Sequence, residues 1–158
     1  RIINPERLLD KFTGKEGLFD NSPFDERTRQ IVLKVKMPLG VLIDKDLKEV
    51  NQVFVPIYCP EDSFLIDYAQ KLIYNNNTSV TFLDMKGHME SNFVIVSAIG
   101  SLKQKFPNSV FLNNESILYD EFLMKQDLMI VSLDSWKDLL DSRSTWLSGV
   151  PSVLIIKP

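Results

Sequence analysis

Val53-Phe54-Val55-Pro56-Ile57-Tyr58-Cys59-Pro60-Glu61-Asp62-Ser63-Phe64-Leu65 is the stretch on which the fold turns. Its first six residues are apolar, β-branched or aromatic, and read as a strand buried in the centre of a sheet. Pro60-Glu61-Asp62-Ser63 is a helix start, because proline suits a first helical position, where no backbone donor is needed. Phe64, Leu65, Tyr68, Ala69, Leu72 and Ile73 then recur at helical spacing and give one apolar face. A buried strand that runs into an amphipathic helix is the repeating unit of a parallel α/β sheet.

The same alternation continues downstream. Asn75-Asn76-Asn77 closes the helix, Ser79 to Leu83 reads as a strand, and Asp84 to Glu90, with Gly87, as a loop. Asn92 to Phe106 carries two signals. Phe93-Val94-Ile95-Val96 can open a strand, yet Ile95, Ile99, Leu102 and Phe106 recur at helical spacing, and the length favours a helix. Gly100 weighs against it, since an interior glycine costs ~1 kcal/mol relative to alanine. A short strand at Val110–Leu112, a short helix over Glu115–Lys125 and a strand at Leu128–Leu133 follow. Trp136, Leu139, Leu140 and Leu147 mark a last amphipathic helix from about Ser135 to Ser148, capped by Gly149, before a final strand at Val153–Ile156.

From Val53 the order is therefore β-α-β-α-β-α-β-α-β. It predicts a doubly wound, mostly parallel five-stranded sheet of order 3-2-1-4-5 with helices on both faces. Ligands of such sheets bind outside the carboxyl ends of the strands, where the strand order reverses. Here that point lies between the strands ending near Tyr58 and Val131. Upstream, Arg1–Phe12 reads as a short helix or tail and Thr13–Ser22 as a loop. Ser22-Pro23 starts a helix running to about Lys36, with Asp25 in its first turn, and Leu39–Ile43 is an extra strand. The expected division is a linker and helix over 1–36 and an α/β domain over 37–158.

A chain of 158 residues, 44% of them hydrophobic, is one domain long and large enough to bury a real core. No run approaches the ~18 consecutive apolar residues of a membrane span, so the reading is a soluble domain. Net charge is −3, with no basic stripe of the kind a nucleic-acid partner needs. The single cysteine, Cys59, excludes an internal disulfide and agrees with a reducing compartment. The chain opens on Arg1 without a signal-peptide pattern, which reads as a piece of a longer polypeptide.

Chemistry-bearing residues are few. The six glycines, Gly14, Gly17, Gly40, Gly87, Gly100 and Gly149, form no Gly-x-Gly pair and no phosphate-binding loop. Cys59 and His88 are the only members of their types, too few for a zinc site, so no metal or cofactor is expected. His88 beside Gly87 reads as a solvent-exposed loop histidine. The likeliest ligand-facing positions, placed by topology alone, are Tyr58, Cys59, Pro60, Asp84, Ser132 and Asp134. Each has a plainer role as well: Cys59 as a small packing residue, and Ser132, Asp134 and Ser135 as helix-capping groups. Core packing explains Trp136 and Trp146, and Trp146, if partly exposed, also offers a partner contact. The last strand, Val153–Ile156, is a candidate dimer edge, because an uncovered edge pairs readily.

The order from Val53 to Pro158 resembles the universal stress protein fold, which is adenine nucleotide alpha hydrolase-like. Val53-Phe54-Val55-Pro56 looks like that family's opening strand, and Val150-Pro151-Ser152-Val153-Leu154-Ile155-Ile156 like its closing one. ATP-binding members carry a Gly-x2-Gly-x9-Gly-[Ser/Thr] motif after the fourth strand. Val131-Ser132-Leu133-Asp134-Ser135 stands there instead. A closer resemblance covers Met37 to Asp62. Met37-Pro38-Leu39-Gly40-Val41-Leu42-Ile43-Asp44-Lys45-Asp46 is similar to the Pro-Cys-Ser-Val-Gly-Ile-Leu-Val-Asp-Arg-Gly segment in the cytosolic tails of monovalent cation:proton antiporters. The Phe-Gly-Gly-x-Asp-Asp that follows in those tails corresponds to Val55 to Asp62, with Tyr58-Cys59 in place of the glycine pair.

The resemblance implies a non-catalytic regulatory or assembly domain on the cytoplasmic side of the cell membrane, part of a sodium or potassium/proton antiporter. Its implied partners are the transmembrane part of the same antiporter, a second copy in a homodimer, or a small-molecule ligand, and no nucleic acid. Two other readings stand beside it. One is a free-standing nucleotide-binding stress protein. The other is an enzyme using Cys59, which requires a thiol of lowered pKa.

Overall fold

Alternate residues of the central strands serve two different cores. Val53, Val55 and Ile57 pack into one apolar cluster, and Phe54 and Tyr58 into another on the opposite face. Leu128 and Ile130 likewise face the first cluster, and Met129 and Val131 the second. A strand with apolar residues on both faces must lie between two layers of helices. The computed structural model, which describes residues 2–3, 26–87, 89–114, 120–142 and 145–158, has that three-layer arrangement.

The described elements are β1 (Ile2–Ile3), α1 (Glu26–Lys34), β2 (Leu39–Ile43), β3 (Gln52–Ile57), α2 (Leu65–Asn76), β4 (Ser79–Asp84), α3 (Phe93–Lys105), β5 (Val110–Asn113), α4 (Asp120–Leu123), β6 (Leu128–Ser132), α5 (Leu133–Asp141) and β7 (Ser152–Lys157). A 3-10 turn over Pro60–Phe64 leads into α2, and another over Thr145–Gly149 leads into β7. The sheet order is β1-β2-β7-β6-β3-β4-β5, parallel throughout except that β2 runs antiparallel to β7. From β3 the chain first adds strands in one direction, through β4 to β5. It then crosses back to add β6 and β7 on the other side. Right-handed crossovers put the helices of these two excursions on opposite faces. Accordingly α2 and α3 supply Leu65, Ala69, Ile73, Ile95, Ile99 and Leu102 to one core, and α4 and α5 supply Leu123, Trp136, Leu139 and Leu140 to the other.

Packing is tight at the centre. Phe54, Phe82, Ile57, Met129 and Trp136 are fully buried, each side chain contributing about 1.5–3 kcal/mol through removal from water. Phe54 meets Phe122 edge-on, with ring centroids 5.6 Å apart. Asn92 caps α3 by accepting from the Ile95 amide at 3.1 Å, which settles the ambiguous 92–106 segment as a helix. Asn77 ends α2 in the left-handed conformation, φ 55°, a geometry asparagine tolerates better than most residues.

Several expectations are corrected. Among the described residues the sheet holds seven strands, where five and one extra strand were expected, and its whole order departs from the expected one by the two strands, β2 and β1, that lie beyond β7. The expected dimer edge at Val153–Ile156 is therefore not an edge. β7 is paired on one side with β6 and on the other with β2, from Leu39↔Lys157 to Ile43↔Val153. The last helix does not run from Ser135 to Ser148. It starts at Leu133 and stops at Asp141, and Trp146 and Leu147 enter the core from the separate 3-10 turn. The serine- and threonine-rich run after Asp141 explains the break, because such side chains compete for backbone hydrogen bonds and weaken helices. One of them does so here, the Ser142 hydroxyl donating to the Leu139 carbonyl at 2.9 Å. Trp146 is buried, so it offers no partner contact.

Ile2 and Ile3, expected in a helix or tail, instead form β1 beside β2. The readings placed on 4–25, including the rest of that tail, the linker and the Ser22-Pro23 helix start with Asp25, lie outside the described residues, as do His88 and 115–119 of the expected Glu115–Lys125 helix. Among the described residues, no helix is long and apolar enough to cross a membrane.

Candidate functional site

The central strands are fastened at one end and open at the other. At their amino ends the Asp127 carboxylate accepts from the Asn51 and Gln52 amides, both at 2.9 Å. β3 and β6 pair at Val53↔Leu128 and Phe54↔Met129, and there the ladder stops. β3 and β4, by contrast, remain paired for the whole of Gln52–Ile57. The gap that opens between β3 and β6 toward their carboxyl ends is the reversal point of the sheet, the position where doubly wound folds take their ligands.

A carboxylate of the chain itself occupies that gap. The 3-10 turn after β3 swings Asp62 back under the strand, where it is 1% exposed. One oxygen, Oδ2, accepts from the Tyr58 amide at 2.9 Å, the Cys59 amide at 3.3 Å and the Ser135 hydroxyl at 2.8 Å. The other, Oδ1, accepts from the Ser132 hydroxyl at 2.5 Å and from Ser135 Oγ at 3.1 Å. Ser132 is also the N-cap of α5, its oxygen accepting from the Ser135 amide at 3.2 Å. The capping role and the site role thus fall on the same hydroxyl. Four donors surround a negative charge at the positive end of a helix, the arrangement in which a buried carboxylate is stable.

Outside this carboxylate lies a cavity of about 480 Å³, lined by Cys59, Glu61, Asp62, Ser132, Asp134 and Lys137 and walled by Val32 and Leu33 of α1 and by Lys157 of β7. Among the described residues, no glycine lines it. Of the two cations that line it among the described residues, Lys157 donates to the Val32 and Val35 carbonyls at 2.9 and 2.7 Å, holding the end of α1 against β7. Half-buried Lys137 lies 3.7 Å from exposed Asp134. A phosphate group entering here would meet Asp62, Glu61 and Asp134, with no glycine cradle among the described residues to receive it.

The structure brings together half of the expected positions. Cys59, Ser132 and Asp134 line the cavity. Tyr58 offers only its amide, since its ring turns into the α5-side core, with Lys86 Nζ 5.9 Å from the ring centre. Pro60 is exposed at the start of the 3-10 turn and does not line the cavity. Asp84 ends β4 and is buried, and it accepts from the Met89 amide at 3.3 Å, so it closes the loop after β4 instead of facing the cavity. Sequence and topology do not single out Asp62 as a site residue. The available signal was its place three residues into the Pro60 turn, from which a carboxylate reaches back to the preceding amides.

Two groups are perturbed. Burial, and then the neighbouring Asp62 and Asp138 charges, push the Tyr58 phenol well above its ordinary range. Burial, the Asp62 charge and a hydrogen bond with Glu61 raise the Cys59 thiol. That is the opposite of what an attacking cysteine needs. Among the described residues, no group of three or more His, Cys, Asp or Glu side chains could hold a metal ion.

No family model matches the sequence, and no curated protein matches it.

Proposed function

We propose that this chain is a regulatory or assembly domain of a monovalent cation:proton antiporter, working on the cytoplasmic side of the membrane through protein contacts and not through catalysis. The observation that carries the reading is the Asp62 carboxylate, held by Ser132, Ser135 and two backbone amides where related folds would seat a phosphate. The Met37–Asp62 resemblance supplies the antiporter context, and the protonated Cys59 thiol supports a non-catalytic role. In such a domain a partner or ligand shifts the transporter between states only through its differential affinity for them.

A second reading, a free-standing nucleotide-binding stress protein, has the open cavity beside Asp62 in its favour. Fractionation of source cells, with an antibody raised against this chain, separates the two. The antiporter reading expects a membrane-bound band far heavier than 18.2 kDa that resists alkaline carbonate extraction. A soluble band near 18.2 kDa would overturn it.

A further inference from the structure

β5 lies at the end of the sheet, and among the described residues it pairs with β4 alone. Val110 is buried, but the next two apolar residues are exposed, one on each face, Phe111 at 46% and Leu112 at 51%. On the Leu112 side, a groove of about 360 Å³ separates β5 from α3. Phe93, Val96 and Gly100 follow one another along α3 at helical spacing, with Phe93 83% and Val96 47% exposed. An open strand edge flanked by apolar side chains is a template for another strand.

Gly100 adds an independent observation. It sits in the middle of α3, and a Cβ built on it would meet nothing within 4 Å. Nothing in the chain's own packing requires a glycine there, although glycine weakens a helix interior. A flat spot on a helix is useful where another backbone comes close.

The charges along the groove name the occupant. Lys103 Nζ donates to the Val110 carbonyl at 3.1 Å, so a positive charge marks the start of β5. Glu90 accepts from the Asn114 side chain at 3.3 Å, so a negative charge marks its end. A second β5 laid antiparallel along the first, about a two-fold axis, puts its start against the other's end. Lys103 of each copy then meets Glu90 of the other. The patch is self-complementary, as a two-fold interface must be.

We infer that the β5 edge and the Phe93–Val96–Gly100 stripe of α3 form a homodimer interface, with β5 pairing antiparallel to β5 of a second copy. The interface goes beyond the antiporter role and does not depend on it: a monomer sinks the interface and leaves the fractionation result untouched.

Sedimentation equilibrium of the purified chain tests the interface. The expected result is a reversible dimer at high micromolar concentration. Leu112→Glu should weaken association at least tenfold with an unchanged circular dichroism spectrum. Gly100→Ala should raise the melting temperature while weakening the dimer, a combination that loss of folding cannot produce. Lys103→Glu should also weaken the dimer, and Lys103→Glu combined with Glu90→Lys should restore it. A chain that stays monomeric, a dimer indifferent to Leu112→Glu and Gly100→Ala, or a charge reversal that the double variant fails to rescue would overturn the inference.

Discussion

The Asp62 carboxylate and the Ser132 hydroxyl, 70 positions apart in the chain, meet at 2.5 Å between the carboxyl ends of β3 and β6. The contact joins the turn after one central strand to the first turn of the helix after the other. It closes the reversal point of the sheet with the protein's own negative charge. A hydrogen bond to a charged acceptor contributes about 1.5–3 kcal/mol, and a buried donor left without an acceptor costs a similar amount.

Asp62→Ala removes the acceptor shared by two amides and two hydroxyls. Its expected cost is on the order of 3–5 kcal/mol, because breaking a buried, hydrogen-bonded charge site strands the remaining partners. Urea denaturation measures it. Asp62→Asn keeps one acceptor oxygen and should lose less. A variant Asp62→Ala as stable as the parent would show that the carboxylate does not hold the strand ends together.

Tyr58 presents the opposite case. Its hydroxyl is buried and has no hydrogen-bond partner among the described residues, so Tyr58→Phe should stabilise the fold by about 1 kcal/mol, by removing an unsatisfied polar group. The raised phenol also sets a pH dependence. The group binds its proton more tightly folded than unfolded, so its effect is absent below the ordinary value of 10.0. Stability then falls as pH rises above that value, where the unfolded chain loses the proton first. Alkaline unfolding followed by tyrosinate absorbance should begin above pH 10.0 and become shallower in Tyr58→Phe. An identical alkaline limb in both proteins would contradict the burial of the hydroxyl.

How far the sequence could be read follows from these residues. Alternation of apolar strands and helical stripes exposes the three-layer architecture, because the central strands β3 and β6 are apolar on both faces. The place of β2 was not legible. Leu39–Ile43 reads as a strand, but nothing local says that it runs antiparallel beside β7 and covers the presumed edge. That pairing joins residues more than a hundred positions apart, and no short-range pattern encodes it. In the site, Cys59, Ser132 and Asp134 were found from topology, since strand ends converge at a reversal point. Asp84 followed the same rule and went elsewhere, drawn to the Met89 amide of its own loop. Asp62 was hidden because an acidic residue in a first helical turn has a sufficient local reason to be there. Its second role appears only once β6 is beside β3.

The Cys59 thiol should be slow toward iodoacetamide at neutral pH, since burial and the Asp62 charge keep it protonated. Thiolate is the reacting form, so the rate should climb only as pH exceeds the ordinary thiol range. Asp62→Asn removes one of the charges opposing ionisation and should speed alkylation at a given pH. A folded protein that reacts at neutral pH faster than free cysteine would reverse this picture and support a catalytic thiol.

The melting temperature in millimolar magnesium–ATP tests the central claim most directly. Any ligand that binds only the folded chain must raise it. With Asp62 seated against Ser132 and Ser135 and no glycine among the described residues around the cavity, the account predicts no shift with ATP or AMP. A saturable rise of several degrees, lost when Ser132 is replaced by a bulky residue that preserves the fold, would contradict it.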